Sequence, residues 1–384
     1  MGIKFKYIGL ALLLLFQSGC WDRIEVNDLA FVGASAYDKL AENSFRIAVQ
    51  IPLPGAMGGP GGGGGGTAGE KPYYVDSGIG RNVRESNDDL QQRMSRQLYF
   101  AHRRVVIFGE ELARGGFKRS LDVIQQQPQS RLSTFALITE GEALDILNSS
   151  PHLEQTPAEA IREITKGDIS VDVKDILMDI NRPGKDPILP VVKKMKTQNK
   201  HPEEQREEVE LKGMGIFKDD KLMFITNKKE SQGVRWLLEK TRGKSLTVTV
   251  QENDELNIRI VEEKYTVTYS VKNDRPSFKI NIRTTGQLMQ NESDLDLEDP
   301  KTYGMVKENL QNEIKSQILA IIDRTKAEGI DSFGFGWKIY RSNKQLWESK
   351  LDDKWRELLK DVPVSVDIDA DVQRLTNTGI RAKD

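Results

Sequence analysis

The chain has 384 residues, with 56 lysines and arginines against 58 aspartates and glutamates and a formal net charge of −2. Such a balanced composition lacks the excess of cations that accompanies nucleic-acid binding, so we expect no nucleic-acid partner. Hydrophobic residues make up 38% of the chain, enough for folded cores, and the length predicts two or three domains. Cys20 is the only cysteine, which excludes an intramolecular disulfide and a cysteine-based metal site.

Residues 1–19 have the pattern of a secretory signal peptide: two lysines, an apolar run over Ile8–Phe16, and small residues before Cys20. The apolar run is about half as long as the ~20 residues that a membrane-spanning helix needs, which disfavours a transmembrane helix. Small residues directly before a cysteine resemble a bacterial lipobox, although Gln17 stands where a branched apolar residue is usual. We predict that Cys20 is acylated, becomes the new N-terminus and anchors the protein outside the cytoplasmic membrane.

Residues 20–193 alternate between strand and helix patterns, which predicts an N-terminal α/β domain with a mixed sheet. The predicted strands are 29–37, 45–51, 73–75, 105–108, 134–139 and 188–192, and the predicted helices are 82–98, 110–115, 142–147, one from Pro157 and 171–180. A Gly- and Pro-rich loop over 52–72 interrupts this pattern. A phosphate-binding loop would carry Lys-Ser/Thr after its last glycine, whereas Gly69 is followed by Glu-Lys-Pro, so we predict a flexible surface loop.

A charged and polar stretch over residues 194–208 is typical of a linker. Beyond it, residues 209–243 predict a small middle domain that consists of a hairpin, with its turn at Lys218–Lys221, and a helix that ends at Gly243. Discrete domains on either side of such a linker would be compatible with a solute-binding cleft.

Residues 244–384 predict a C-terminal α+β domain. Four runs of alternating apolar residues, 246–250, 256–260, 265–271 and 278–282, predict an antiparallel meander with one buried face. Apolar stripes over 304–328 and 347–358 predict two long amphipathic helices, and 364–372 predicts a strand that returns to the sheet. The whole chain is therefore predicted to be a multi-domain α+β protein.

Sequence motifs of catalysis or metal binding are weak. The three histidines, His102, His152 and His201, lack the spacing of metal ligands on one helix. Asp367, Asp369 and Asp371 alternate as in a calcium loop, but Val372 and Thr378 stand where that loop needs Gly and Glu, so the solvated face of a strand is favoured. Gly78-Ile79-Gly80 lacks the third glycine of a dinucleotide fingerprint and predicts a strand-to-helix turn. We predict no catalytic residues, no metal and no cofactor.

The segment Cys20-Trp21-Asp22-Arg23, followed by Glu25, resembles the start of the Ger(x)C lipoproteins, the C subunits of spore nutrient-germinant receptors. The resemblance continues along the chain in ordered pieces: Ser95-Arg96, His102, Gly109–Ala113, Gly116, Leu211, Gly213, Phe217–Lys221, Asp331–Gly336, Trp347 and Trp355. Two departures are Met223–Ile225, where the family usually has a glycine, and the poly-Gly loop, which has the character of an insertion.

The resemblance implies a lipid-anchored, non-catalytic subunit on the outer face of the spore inner membrane. Its implied partners are an A subunit and a polytopic, transporter-like B subunit, and nutrient binding is attributed to the membrane subunit. The implied role is in receptor assembly or signalling during germination. A lipid-anchored extracytoplasmic solute-binding protein is the alternative that the residues leave open.

The most recognisable part of the resemblance, Asp331–Gly336, has two interpretations. In the structural one it is a helix-to-helix turn in which glycines permit positive φ and Phe333 and Phe335 fill the core. In the functional one Phe333, Gly334, Phe335 and Gly336 form an aromatic contact with a receptor partner. The structural interpretation is favoured.

Overall fold

The computed structural model describes residues 25–53, 71–251, 254–291 and 296–373. The predicted signal peptide, Cys20 and most of the Gly-rich loop, residues 54–70, lie outside the described residues. Most of the described residues form two sheets with helices packed against them, which confirms the predicted α+β class.

The first sheet has eight strands in the order β10-β9-β8-β7-β6-β2-β3-β4. Its centre, β2, β6, β7 and β8, is parallel, and the flanking strands are antiparallel, so it is the mixed sheet predicted for the N-terminal region. A separate parallel pair, β1 and β5, lies beside it. The bounds are β1 Leu29–Phe31, β2 Ala34–Ala41, β3 Ser44–Pro52, β4 Tyr73–Gly80, β5 Gln97–Tyr99, β6 Val105–Phe108, β7 Phe135–Thr139, β8 Ile188–Lys196, β9 Glu207–Lys218 and β10 Lys221–Ile225.

Helices cover this sheet because its central strands are apolar on both faces; all four residues of β6 are buried. One core lies on each face, around Phe108 and Phe117 on one side and Ile107 and Ile161 on the other. The helices are α1 Val83–Gln92, α2 Glu110–Gly115, α3 Lys118–Gln126, α4 Ala143–Leu147, α5 Pro157–Lys166 and α6 Val173–Asn181. Side chains of Asn82, Thr156 and Asp172 cap α1, α5 and α6.

Gly78 and Gly80 do not form the predicted strand-to-helix turn but lie within β4. The helix α1 packs directly on this strand, and a Cβ at Gly78 would stand 2.1 Å from the Ser86 carbonyl oxygen. The glycines are therefore required for close approach of a helix to a strand.

The predicted linker over residues 194–208 differs from the structure. Lys193–Lys196 continue β8 and Glu207–Glu210 begin β9, and these segments pair with each other. Apart from Val209, which packs into the core, the residues of these two segments are partly or fully exposed, and they carry cross-strand ion pairs such as Lys193–Glu210 at 2.8 Å. Their charged composition therefore imitates that of a linker. Beyond them, β9 and β10 add the predicted hairpin to the edge of the large sheet.

The second sheet has the order β11-β12-β13-β14, with bounds β11 Ser245–Gln251, β12 Asp254–Lys272, β13 Arg275–Asn291 and β14 Val364–Gln373. Two of the four predicted runs, 256–260 and 265–271, belong to the single strand β12, because a register shift after Ile260 keeps both runs in the sheet. The first three strands are antiparallel as predicted, and β14 returns as predicted but is parallel to β13.

One face of this sheet is covered by α8, Pro300–Ala327, and α7, Lys228–Leu237, packs against α8, where Trp236 Nε1 donates a hydrogen bond to Gln317. The first long helix predicted in this region is therefore present. The second, predicted over 347–358, is not one helix but a π-helical turn Trp347–Leu351 followed by α11 Trp355–Asp361, and two short helices precede it, α9 Phe335–Ser342 and α10 Lys344–Leu346. Asn343 separates α9 from α10, since its backbone leaves the helical region and its side chain accepts a hydrogen bond from the Leu346 amide.

Candidate functional site

The segment Asp331–Gly336, which was singled out from the sequence, covers the end of the loop between α8 and α9 and the first two residues of α9. After α8 ends, Gly329 turns the chain with a φ of +65°, and Gly334 precedes α9 with a φ of +71°. Both angles favour glycine. The loop thus folds back over the end of α8 and directs the side chain of Asp331 into the protein interior.

The Asp331 carboxylate is buried and accepts three hydrogen bonds. Oδ1 accepts from the Phe335 amide at 2.9 Å, and Oδ2 accepts from the Gly336 amide at 2.7 Å and from Trp355 Nε1 at 2.9 Å. Burial raises the pKa of Asp331 to about 6, and the three hydrogen bonds oppose that rise. The carboxylate therefore ties the start of α9 to α11 and is largely ionised at neutral pH.

Asp186, in the loop between α6 and β8, joins this loop to the N-terminal half. Asp331 donates its amide to Asp186 Oδ2 at 2.8 Å, and Asp186 donates its amide to the Asp331 carbonyl at 2.9 Å. Arg356 of α11 binds both oxygens of Asp186, at 2.9 and 3.0 Å. It also contacts Asp219, in the turn between β9 and β10, at 2.6 Å. We call this set, Asp186, Asp219, Asp331, Trp355 and Arg356, the Asp331 clasp.

Gly184 and Gly336 allow the N-terminal and C-terminal halves of the chain to approach each other closely beside the Asp331 clasp. A Cβ at Gly336 would lie 2.5 Å from Trp347 Cη2 and 2.8 Å from the Gly184 Cα. Gly184 itself has a φ of +63° and faces Gly336 across the joint. The buried ring of Trp347 closes over this contact, at 5.3 Å from the ring of Trp355. No larger residue fits either position without a backbone shift.

The aromatic residues of the segment divide between core and surface. Phe335 is buried and its ring lies 4.6 Å from that of Phe278 in β13, whereas Phe333 is half-buried. Trp337 is also half-buried; its amide donates to the Gly184 carbonyl, and the Arg182 guanidinium lies 5.3 Å from its ring. Phe335, Gly336 and Asp331 thus form part of the joint, and Phe333 and Gly334 lie at its rim.

Asp186, Gly184 and Arg356 did not emerge from the sequence. The only local signal was Pro183-Gly184, a dipeptide typical of a turn, and nothing in the sequence paired residue 186 with residue 356. The arrangement can hold two parts of the chain in one geometry. The two carboxylates at its centre are already occupied by hydrogen bonds and an ion pair, which leaves them poorly suited to proton transfer.

The remaining sequence candidates are not brought together. His102 packs against Phe31, while His152 and His201 lie beside Glu208 and Glu203 respectively. Asp367, Asp369 and Asp371 point from β14 towards separate cations: Lys279, Arg283 and Lys307. In the described ranges there is no group of three or more His, Cys, Asp or Glu that could hold a metal ion.

Among the same residues, no helix has the length and apolar character that crossing a membrane would require. Cys20 lies outside the described residues, so its predicted acylation stays a prediction.

Two family models match the chain in succession. The model described as the spore germination protein N-terminal domain matches residues 22–194, and the model described as spore germination B3/GerAC-like, C-terminal, matches residues 212–376. The boundary between the models, residues 195–211, falls at the end of β8, the loop after it and the start of β9.

Similar proteins occur in Bacillus subtilis (strain 168). YfkR, which has a provisional name as a spore germination protein, is 36% identical over 94% of this chain and 94% of its own length. Spore germination protein KC is 25% identical over 97% of this chain and 96% of its own length. The crystal structure of the GerBC protein aligns with 88% of this chain and 96% of that chain, with a TM-score of 0.57 at 16% identity, which shows a shared fold.

Proposed function

The chain belongs to the Ger(x)C family of spore germination proteins, and from that premise we propose that it is the lipid-anchored, non-catalytic C subunit of a receptor for germination nutrients. The observation that carries the proposal is the succession of the two family models over residues 22–194 and 212–376. In this proposal the protein acts on the outer face of the spore inner membrane, with an A subunit and a polytopic B subunit as partners.

The Asp331 clasp supports a mechanical rather than a chemical role. It joins the loop before β8, the β9–β10 turn and α11 through buried hydrogen bonds, so that the two sheets are held in one arrangement. A subunit that transmits or supports a conformational state in a partner needs such rigidity between its parts. An acyl anchor at Cys20 would confine this rigid body to a thin layer and so raise its effective concentration at the partner.

The test is a pull-down from detergent-solubilised spore inner membrane with a C-terminal tag on the wild type and on Cys20→Ala. Wild type should recover a polytopic membrane protein, and Cys20→Ala should recover much less of it and leave more protein in the soluble fraction. Equal thermal unfolding of both forms in detergent is the control that separates loss of the anchor from loss of the fold.

Recovery of the tagged protein alone, under conditions that preserve another membrane complex, would contradict the receptor proposal and favour a solute-binding lipoprotein. Calorimetry of the purified protein with amino acids and sugars would then show tight, saturable binding. Full germination with a soluble Cys20→Ala form would refute the anchoring role alone.

A further inference from the structure

A surface cleft at the end of the large sheet collects cations that have no carboxylate partner. It has a volume of about 590 Å³ and is formed by the β2–β3 hairpin, the start of α1, and α2 and α3. This volume lies within the range of about 300–1,000 Å³ that is usual for small-molecule sites. We call it the cationic cleft.

Four cations line the cleft: Lys39, Arg81, Arg84 and Arg119. Arg81 is paired with Glu85 at 3.0 Å, but within the described residues Lys39, Arg84 and Arg119 form no ion pair. Arg84 donates a hydrogen bond to the amide oxygen of Gln126, at 3.4 Å. Three unneutralised cations at one concave site create a positive potential that attracts anions.

Two carboxylates also line the cleft, and neither neutralises these cations. Asp220 accepts a hydrogen bond at 2.9 Å from the amide of Lys118, the first residue of α3. Glu42 lies exposed in the β2–β3 turn. With Arg81 paired to Glu85, the three remaining cations face two carboxylates, which leaves the lining with an excess of one positive charge.

The rest of the lining is mixed. Phe45, Val83, Leu112 and Val123 supply apolar surface, and Asn43, Asn82, Ser120 and Gln126 supply polar groups. A site that combines an apolar wall with a few cations suits a small organic ligand with more than one anionic group better than a lone inorganic ion.

The position of the cleft argues against a lipid headgroup. The described chain begins next to β1, at the N-terminal end of β2, whereas Lys39 and Glu42 lie at the other end of that strand. The eight residues of β2 span roughly 25 Å. If the anchor at Cys20 is as proposed above, the cleft lies at the end of β2 that is farther from the anchored end of the chain, which favours a soluble ligand over a lipid headgroup.

We propose that the cationic cleft binds a small organic polyanion, a soluble molecule with at least two carboxylate or phosphate groups, and that Lys39, Arg84 and Arg119 are its principal contacts. The anionic groups bind the two guanidinium groups and the ammonium group, and the carbon skeleton lies against Phe45 and Val123. Arginine suits this role because its planar group binds carboxylate and phosphate through two hydrogen bonds at once.

The experiment is calorimetric titration of the full chain in a neutral detergent with two organic probes, citrate as a polycarboxylate and fructose 1,6-bisphosphate as a bisphosphate. Wild type should bind at least one of them saturably with a stoichiometry of one. Arg84→Gln/Arg119→Gln should weaken that binding at least about tenfold, as expected for the loss of charge-assisted hydrogen bonds. The matched control is Arg242→Gln/Arg259→Gln, which removes the same charge from exposed positions in the C-terminal half and should change the affinity less than about twofold.

Absence of saturable binding of both probes at millimolar concentration would overturn the proposal, as would equal weakening in the control variant. Binding to phosphatidylglycerol vesicles through Arg84 and Arg119, without binding of either soluble probe, would also overturn it in favour of a lipid surface. None of these outcomes depends on recovery of a receptor partner, so failure here is distinguishable from failure of the proposed receptor role.

Discussion

The Asp331 clasp and the cationic cleft are two groups of charged residues that meet at adjacent positions in the sequence. Asp219 belongs to the clasp, where it contacts Arg356, and the adjacent Asp220 lines the cleft and binds the start of α3. In the clasp the carboxylates of Asp186 and Asp331 are buried and fully partnered. In the cleft Arg84 and Arg119 are exposed and form no ion pair with a carboxylate of the described residues.

This difference indicates two different uses of charge. A buried charge is tolerated only when fixed partners replace its water, so its partners determine a single geometry of the fold. A solvated cation without a partner contributes little to the fold and is available for a ligand. The following substitutions test whether the two regions separate in this way, with stability as the common measurement.

Arg356→Met should produce the largest loss of stability. It leaves Asp186, whose side chain is only 1% exposed, without its counter-ion, and it also removes the contact with Asp219. Breaking a buried ion pair from one side costs about 3–5 kcal/mol. Urea unfolding should therefore show a much lower midpoint. Lys360→Met, which breaks the exposed pair with Glu357 on the same helix, is the control and should cost less than about 1 kcal/mol. Equal effects of the two substitutions would show that the clasp ion pair is not structural.

Gly336→Ala should cost up to about 3 kcal/mol, because overpacked side chains must shift. The added methyl would stand 2.5 Å from Trp347 and 2.8 Å from the backbone of Gly184. Gly304→Ala in α8 is the control, since no described residue beyond its neighbours in the helix lies within 4 Å of the methyl group that it adds. In that helix alanine should stabilise by about 0.5–1 kcal/mol. Thermal unfolding of both variants measures these two effects. An unchanged stability of Gly336→Ala would contradict the close approach of Gly336 to Gly184.

Asp331→Asn should cost about 1–2 kcal/mol, because the amide offers only one oxygen to three donors, while the penalty of a buried charge disappears. The pH dependence of this loss of stability is more informative than its magnitude. Because burial raises the pKa of Asp331 to about 6 from 3.8, the native state binds a proton more tightly than the unfolded chain does. This group therefore makes the wild type lose stability as the pH rises from about 4 to 6.

The asparagine variant lacks that contribution, so its loss relative to wild type should be larger near about pH 4.5 than near about pH 7.5. Chemical unfolding of both proteins at the two pH values measures this difference. A constant difference would mean that Asp331 has the same pKa in the folded and unfolded protein, and that the carboxylate is not desolvated as the structure places it.

Periodicity accounts for the parts of the fold that could be predicted. Val105–Phe108 and the alternation in β13 indicate buried and half-buried strands without any long-range information. The linker prediction was wrong because a charged composition indicates only that side chains are exposed to solvent. The charged ends of β8 and β9 are exposed and yet form paired strands. Other errors arose where a turn signal was absent, since nothing marks that the runs before and after Ile260 form one strand.

The candidate site could be predicted only in part, for a related reason. Asp331–Gly336 is conspicuous as a segment, and its glycines indicate a turn. Its partners Asp186 and Arg356 are separated from each other by 170 positions in the chain, and an isolated aspartate or arginine carries no signal of its partner. The cationic cleft is likewise assembled from five separate parts of the chain: the β2–β3 hairpin, α1, α2, α3 and the β9–β10 turn. Its arginines appear in the sequence only as ordinary surface charges.

The smallest expected effect on stability belongs to Arg84→Gln/Arg119→Gln in the cleft. Both side chains are exposed and form no ion pair within the described residues, so their removal should change the free energy of unfolding by less than about 0.5 kcal/mol. Urea unfolding without any added anion measures this baseline. With a bound polyanion the wild type should gain stability by mass action and the variant should not. A loss in the variant as large as that of Arg356→Met would show that the cleft cations stabilise the fold, and the distinction between the two regions would then be wrong.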